Sequence, residues 1–426
     1  MNDGRAINLC YGKGTLSLRG LSSARLHMLA PRDASPLPDL TTAFQQACRR
    51  PLGGAPLREI VKPQDRVTIV TADGTRPLPN RVLLPLLLAE LPVPDENITI
   101  LLGNGGHRPN TPDELRLMFG DEIVRRVRIV NHDAFDHSGL TTMGRASDGS
   151  PIILNKHYLE ADKRLAIGLI EPHFFVGYSG GDKAVVPGVA GIETILSLHR
   201  RELIADPCST WGTLTENPIR RLLEEMVAVC PPDFLLNVTV DVDNTITGFF
   251  AGDHLAAHRT GCAWVKEHSF VTVRERYPLV VTSNCGYPLD QNIYQAVKGI
   301  AAAANIVRDD GAILLCAECA DGFAGHRHFA EIMQHGETAT DVLAWIAAQP
   351  ATIIDQWQAQ ILAQILRRVH VYVYSGMPAD QLRAIKLYPI DDPRDIVLQH
   401  IDKKYNKKTN IAILPQGFQV VPTVKI

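Results

Sequence analysis

Two histidines, one lysine and an Asp/Arg pair stand in short glycine-rich stretches of this chain, each just after an apolar run. Residues 171–188 read EPHFFVGYSGGDKAVVPG, with His173 three residues past the run RLAIGLI and Lys183 as the only lysine or arginine. A lysine so placed is suited to act as a nucleophile or as a covalent anchor for a cofactor. The plainer alternative is a salt bridge to Asp182 or Glu171. Gly177, Gly180 and Gly181 would let a bound group approach the backbone. The spacing does not match GxxxxGK[ST], which argues against a nucleoside-triphosphate loop.

Three further loops and one helix carry chemistry. DGTRP, residues 73–77, sets Asp73 three residues before Arg76, whose fork suits either that aspartate or a ligand carboxylate or phosphate. GNGGHRPNTPDEL, residues 103–115, holds His107 and Arg108 ahead of a helix start marked by Thr111, Pro112 and Glu114 as a capping box. In IETILSLHRREL, residues 192–203, Ile192, Ile195, Leu196 and His199 recur at helical spacing, placing His199 on the buried stripe. A buried neutral imidazole is either a satisfied core residue or a ligand for a soft metal, and alone it needs help from a cofactor to hold one. In NCGYPLDQNIYQAVKG, residues 284–299, Gln291, Gln295 and Lys298 share one helical face, either solvated or turned to an anionic substrate.

These stretches need elements to hold them. DRVTIVT, ENITILL, RLAIGLI, YPLVVTS, GAILLCA and HVYVYS read as strands, most followed by glycine-rich turns and helical segments. The alternation predicts an α/β protein of two domains, with largely parallel, Rossmann-like sheets and an active-site cleft between them. Residues 1–272 are expected to form a cofactor-binding domain and residues 273–404 a second one, with the tail from about 405 to 426 returning to the first. Ligands of such sheets bind beyond the carboxyl ends of the strands, where the four stretches lie. With 426 residues and a net charge of −3, the chain exceeds a single small module and has no dense basic block for nucleic acid or a membrane surface. The longest apolar stretch, residues 81–93, is short and contains Pro85, so a cytoplasmic location is expected. Eight scattered cysteines suggest buried or strand-end thiols, since Cys316 and Cys319 lack a second pair for zinc.

In their order DGTRP, GGHRPNT, EPHFFVGYSGGDK, the helix ending in His199 and GYPLDQNIYQAVKG resemble the nickel-pincer lactate racemase family, from residue 73 to about residue 299. The resemblance implies a pyridinium mononucleotide that grips nickel through two sulfurs and a ring carbon, attached covalently at Lys183. It implies His199 as the protein's nickel ligand and His107 and His173 as paired acid/base groups. Asp73, Thr75, Arg76, Ser179, Gly180, Gly181 and Tyr294 would join Lys183 and His199 in binding the cofactor, and Arg76, Gln295 and Lys298 would bind the substrate. The implied activity is a 2-hydroxy acid racemase or epimerase working by reversible hydride transfer, because the α-hydrogen beside a carboxylate is a poor acid. Proteins that build and load the cofactor are implied as partners, and a homo-oligomer is left open. Alternatives are the same chemistry on a larger acid (a sugar-acid C2-epimerase, a malate or aromatic hydroxy acid racemase) or a non-catalytic carrier or sensor of the nickel nucleotide. No strand is followed by GxGxxG, against a nicotinamide-dependent dehydrogenase.

Overall fold

The residues VTIVTA form the strand Val67–Ala72, buried along nearly its whole length, as a strand covered on both faces of a parallel sheet must be. It lies centrally in a six-stranded sheet ordered Ile246–Gly252, Phe234–Val240, Lys163–Leu169, Val67–Ala72, Ile98–Gly103, Arg128–Asn131, parallel except for the antiparallel first strand. The computed structural model describes residues 6–19, 25–32, 34–402 and 410–425. Asp33–His199 and Asp206–His268 make one compact unit, here the first; Met1–Arg32, Arg200–Ala205 and Ser269–Ile426 make the second.

In the first unit the apolar stretch around Pro85 is one helix, Asn80–Glu90, with the proline inside it. Its Leu83, Leu84 and Leu87 pack with Ile69 and Ile100 of the sheet in one core. Successive strands from Val67–Ala72 move to one side of the sheet, and the chain then crosses to build Lys163–Leu169 on the other. In sheets of this kind ligands bind where strand order reverses, so the loops after these two strands are the natural ligand position.

The second unit has a six-stranded sheet, parallel throughout, ordered Tyr388–Pro389, His370–Tyr374, Val307–Cys316, Tyr277–Ser283, Asn410–Leu414, Arg25–Met28. Its reversal lies between Tyr277–Ser283 and Asn410–Leu414.

Two expectations about the domains need correction. The opening residues up to Arg32 belong to the second unit, because Arg25–Met28 pairs with Asn410–Leu414. Nor does the tail return to the first unit: Ile411, Ala412, Ile413 and Leu414 are wholly buried, and Ile411 and Ile413 pack with Leu279 and Val281. Val421–Val424 likewise pairs with Phe270–Val273 of the second unit. Residues 405–409 of that tail lie outside the described residues.

Candidate active site

Asp73 ends the central strand of the first unit and is 5% exposed. Its Oδ2 lies 2.7 Å from His107 Nδ1, and its Oδ1 accepts from the Thr75 amide at 3.1 Å and the Thr75 hydroxyl at 2.6 Å. Burial would raise the carboxyl pKa, but His107, Thr75 and Arg76 outweigh it and hold it down to about 2. An ionised carboxylate only accepts, so His107 Nδ1 carries a proton and Nε2 is the ring atom that exchanges one. Asp73 is thus committed to His107 rather than to the Arg76 guanidinium, whose Nη1 donates to the Thr75 carbonyl at 3.3 Å. The His107 loop is pinned at both ends. Asn104 Nδ2 donates to the Arg108 carbonyl, the Gly105 amide to Gly188, and the expected capping box at Thr111 and Glu114 is formed.

Three candidate groups after the strand Lys163–Leu169 gather around one aromatic ring that the sequence reading did not single out. The Phe175 ring centroid is 4.5 Å from that of His173 and 5.5 Å from that of His199, and Lys183 Nζ stands 6.0 Å from it. His173 is 8% exposed, and its Nδ1 accepts weakly from the amides of Phe175 and Val176 at 3.5 and 3.4 Å. Its neutral form therefore carries the proton on Nε2, the opposite tautomer to His107. His199 is also 8% exposed and donates from Nδ1 to the Ile195 carbonyl at 2.7 Å, leaving the lone pair on Nε2. Burial, helped by nearby Lys183 and opposed by the Ile195 bond, pushes its pKa down to about 4, so the ring is neutral at pH 7. The expected helix over residues 192–203 is two: Ile192–Leu198, for which His199 is the C-cap, and Arg201–Ala205 in the second unit.

The glycines of this loop serve the protein itself. A β-carbon at Gly181, where φ is +58°, would strike the His258 ring, and Gly180 and Gly177 are similarly closed by Asn237 and Thr213. Ser179 spends its hydroxyl on the loop, donating to the Leu169 carbonyl at 2.6 Å and accepting from the Glu171 amide at 2.8 Å. Asp182 pairs with His254 at 2.6 Å. Any ligand contact from these glycines or Ser179 would come through backbone atoms.

In the second unit the helix Ile293–Ala304 starts after Asn292, whose side chain caps it by accepting from the Gln295 amide at 2.9 Å. Gln291 precedes the helix, so the expected polar face shrinks to Gln295 and Lys298, and neither is solvated: they are 7% and 8% exposed. Lys298 Nζ donates to Gln295 Oε1 at 2.8 Å and lies 5.3 Å from the Phe418 ring centroid. Phe418 follows Asn410–Leu414, so this cation sits beside the second unit's own strand reversal. Tyr294 stacks on His326 at 3.6 Å between centroids, and His326 Nδ1 lies 3.0 Å from Asp355 Oδ1. His326 and Asp355 gave no sequence signal, because a pair 29 residues apart is visible only once the chain is folded.

A model of the lactate racemase N-terminal domain matches residues 11–212, and one of the lactate racemase C-terminal domain matches residues 274–422. The chain is 35% identical over 383 residues to a lactate racemase of Thermoanaerobacterium thermosaccharolyticum, covering 88% of this chain and 89% of that protein. It is 35% identical over 382 residues to one of Lactiplantibacillus plantarum, with the same coverage. The lactate racemase apoprotein structure from T. thermosaccharolyticum superposes with a TM-score of 0.89 at 32% identity, covering 99% of this chain and all of that one. With both domain models matched in order and the likeness running nearly end to end, the chain belongs to the lactate racemase family of isomerases.

Proposed function

We propose that the protein is a 2-hydroxy acid racemase, with lactate as the first substrate to try, that uses a nickel-pincer nucleotide tethered to Lys183. The observation that carries this reading is the grouping of His173, His199 and Lys183 around the Phe175 ring. The residues fit the group. Neutral His199 offers Nε2 to a soft metal, and among the described residues no three metal-ligating side chains converge, so the remaining ligands would come from the bound nucleotide. When bound, that nucleotide supplies an acceptor, and then a donor, of hydride for substrate C2.

The chain's own residues do the rest. His107, its proton fixed on Nδ1 by Asp73, takes the hydroxyl proton of one enantiomer at Nε2. His173 exchanges its proton at Nε2 and, in its imidazolium form, returns one to the keto oxygen when the other enantiomer forms. One histidine must start a turnover neutral and the other as the imidazolium, and turnover in one direction exchanges those states and so leaves them set for the reverse. Arg76 is proposed as a carboxylate-binding group, and the Gln295–Lys298 pair, considered by itself, as another.

The test is chiral chromatography of nickel-loaded protein given lactate, malate, phenyllactate, glycerate and sugar acids deuterated at C2. Inversion with deuterium retained is expected; washout to solvent would overturn hydride return. His107→Asn and His173→Asn should each keep the mass added at Lys183 while turnover falls about 10²–10⁴-fold. Unimpaired turnover in either variant would remove that histidine from the mechanism.

A further inference from the structure

Five consecutive carbonyls, from Phe175 to Ser179, are each taken by a donor from outside that loop. The Phe175 carbonyl accepts from Asn217 Nδ2 at 2.9 Å, Gly177 from the Gly212 amide at 3.1 Å, and Ser179 from His258 Nε2 at 2.9 Å. The other two, Val176 and Tyr178, share a single nitrogen, Arg220 Nη2, at 3.3 and 2.5 Å. Arg220 is 1% exposed, and its Nε and Nη1 have no hydrogen-bond partner among the described residues. No ion pair joins it to a carboxylate among them either.

A side chain in that position is a poor device for stability. A buried guanidinium without a paired carboxylate carries a large desolvation penalty, and an apolar residue of similar volume would fill the space with less. The arginine does something an apolar residue cannot: it holds two carbonyls of one loop from one point. It rides on the first turn of the helix Pro218–Val227, whose cap, Asn217, holds a third. The gripped segment has His173 just before it and Lys183 just after it.

We propose that Arg220 is a positioning residue for racemisation, fixing the span between His173 and Lys183 and so aligning the acid/base imidazole with whatever the lysine anchors. The inference rests on the roles given above to His173 and Lys183. Proton transfer needs its groups within hydrogen-bond reach, and a displacement of about 1 Å costs on the order of 100-fold in rate.

Arg220→Met and Arg220→Lys decide it, prepared nickel-loaded beside the wild type and assayed with each lactate enantiomer. Denatured mass counts the sites loaded at Lys183, circular dichroism gives Tm, and kcat is expressed per loaded site. R220M is expected to melt within a few degrees of the wild type and to hold KM within about threefold, with kcat down about 100-fold. R220K should recover about tenfold of that loss, since an ammonium still reaches one carbonyl. Wild-type kcat per loaded site in R220M would overturn the proposal, as would a loss that merely follows Tm and that R220K does not relieve. Should R220M fail to fold, R220K alone decides, and full kcat per loaded site there overturns it. A wild type that racemises lactate with no mass on Lys183 strikes the anchoring role instead, and a loaded wild type beside an unaffected R220M strikes only the role of Arg220.

Discussion

Asp73 couples the chemistry to the stability of the first unit. Its folded pKa, about 2, lies below the ordinary carboxylate value, so ionised Asp73 stabilises the fold above about pH 4, and that contribution is lost as pH falls toward 2. A shift of this size is worth on the order of 2 kcal/mol. Asp73→Asn should therefore be less stable than the wild type at pH 7 by urea unfolding, with the gap closing between pH 4 and pH 2. A constant gap would mean that the carboxylate is not the source. Turnover of the same variant should fall by about 10² or more, because an amide in that place can favour the wrong His107 tautomer. At this scale the sequence marked candidates wherever a residue type was out of place, as with a lone lysine among glycines or a histidine on an apolar stripe. It was silent on Phe175 and Arg220, since an aromatic residue or an arginine in an ordinary context announces nothing until its neighbours are known.

Elements were legible where periodicity is local. YPLVVTS is the strand Tyr277–Ser283 to the residue, and Thr111 caps its helix as the spacing requires. The break at His199 and the helix start after Asn292 were not visible, because helical periodicity persists across both and neighbouring packing decides where the hydrogen bonds stop. Helix Ile293–Ala304 shows what such packing demands. A β-carbon at Gly299 would strike the Ser283 carbonyl oxygen, so the glycine lets the helix that carries Gln295 and Lys298 lie directly on the central strand. Gly299→Ala should cost about 1–3 kcal/mol in urea unfolding and raise KM for the hydroxy acid several-fold, because both side chains move with the helix. Unchanged stability would show that the contact relaxes freely, and a kcat effect without a KM effect would argue against carboxylate binding by this pair.

For the molecule as a whole, the alternation of strand-like and helix-like stretches was enough to indicate a two-domain α/β fold, and among the described residues no helix is long and apolar enough to cross a membrane. Strand order was hidden, since pairing between residues 25–28 and 410–414 is a property of the folded sheet and leaves no local mark in either segment. Deleting residues 410–426 removes a strand flanked on both sides and the Phe418 ring beside Lys298. Limited proteolysis should then open the second unit around Tyr277–Ser283 while strands Val67–Ala72 and Lys163–Leu169 stay protected; equal protection of both units would show that the sheet closes without that strand. The same pairing sets a timetable during synthesis. At roughly 5–20 residues per second, Arg25–Met28 leaves the ribosome roughly 20 to 75 seconds before the strand it must lie against. The first unit has every strand of its six-stranded sheet once residue 252 has emerged, whereas the edge of the second is among the earliest segments made and among the last to find its place.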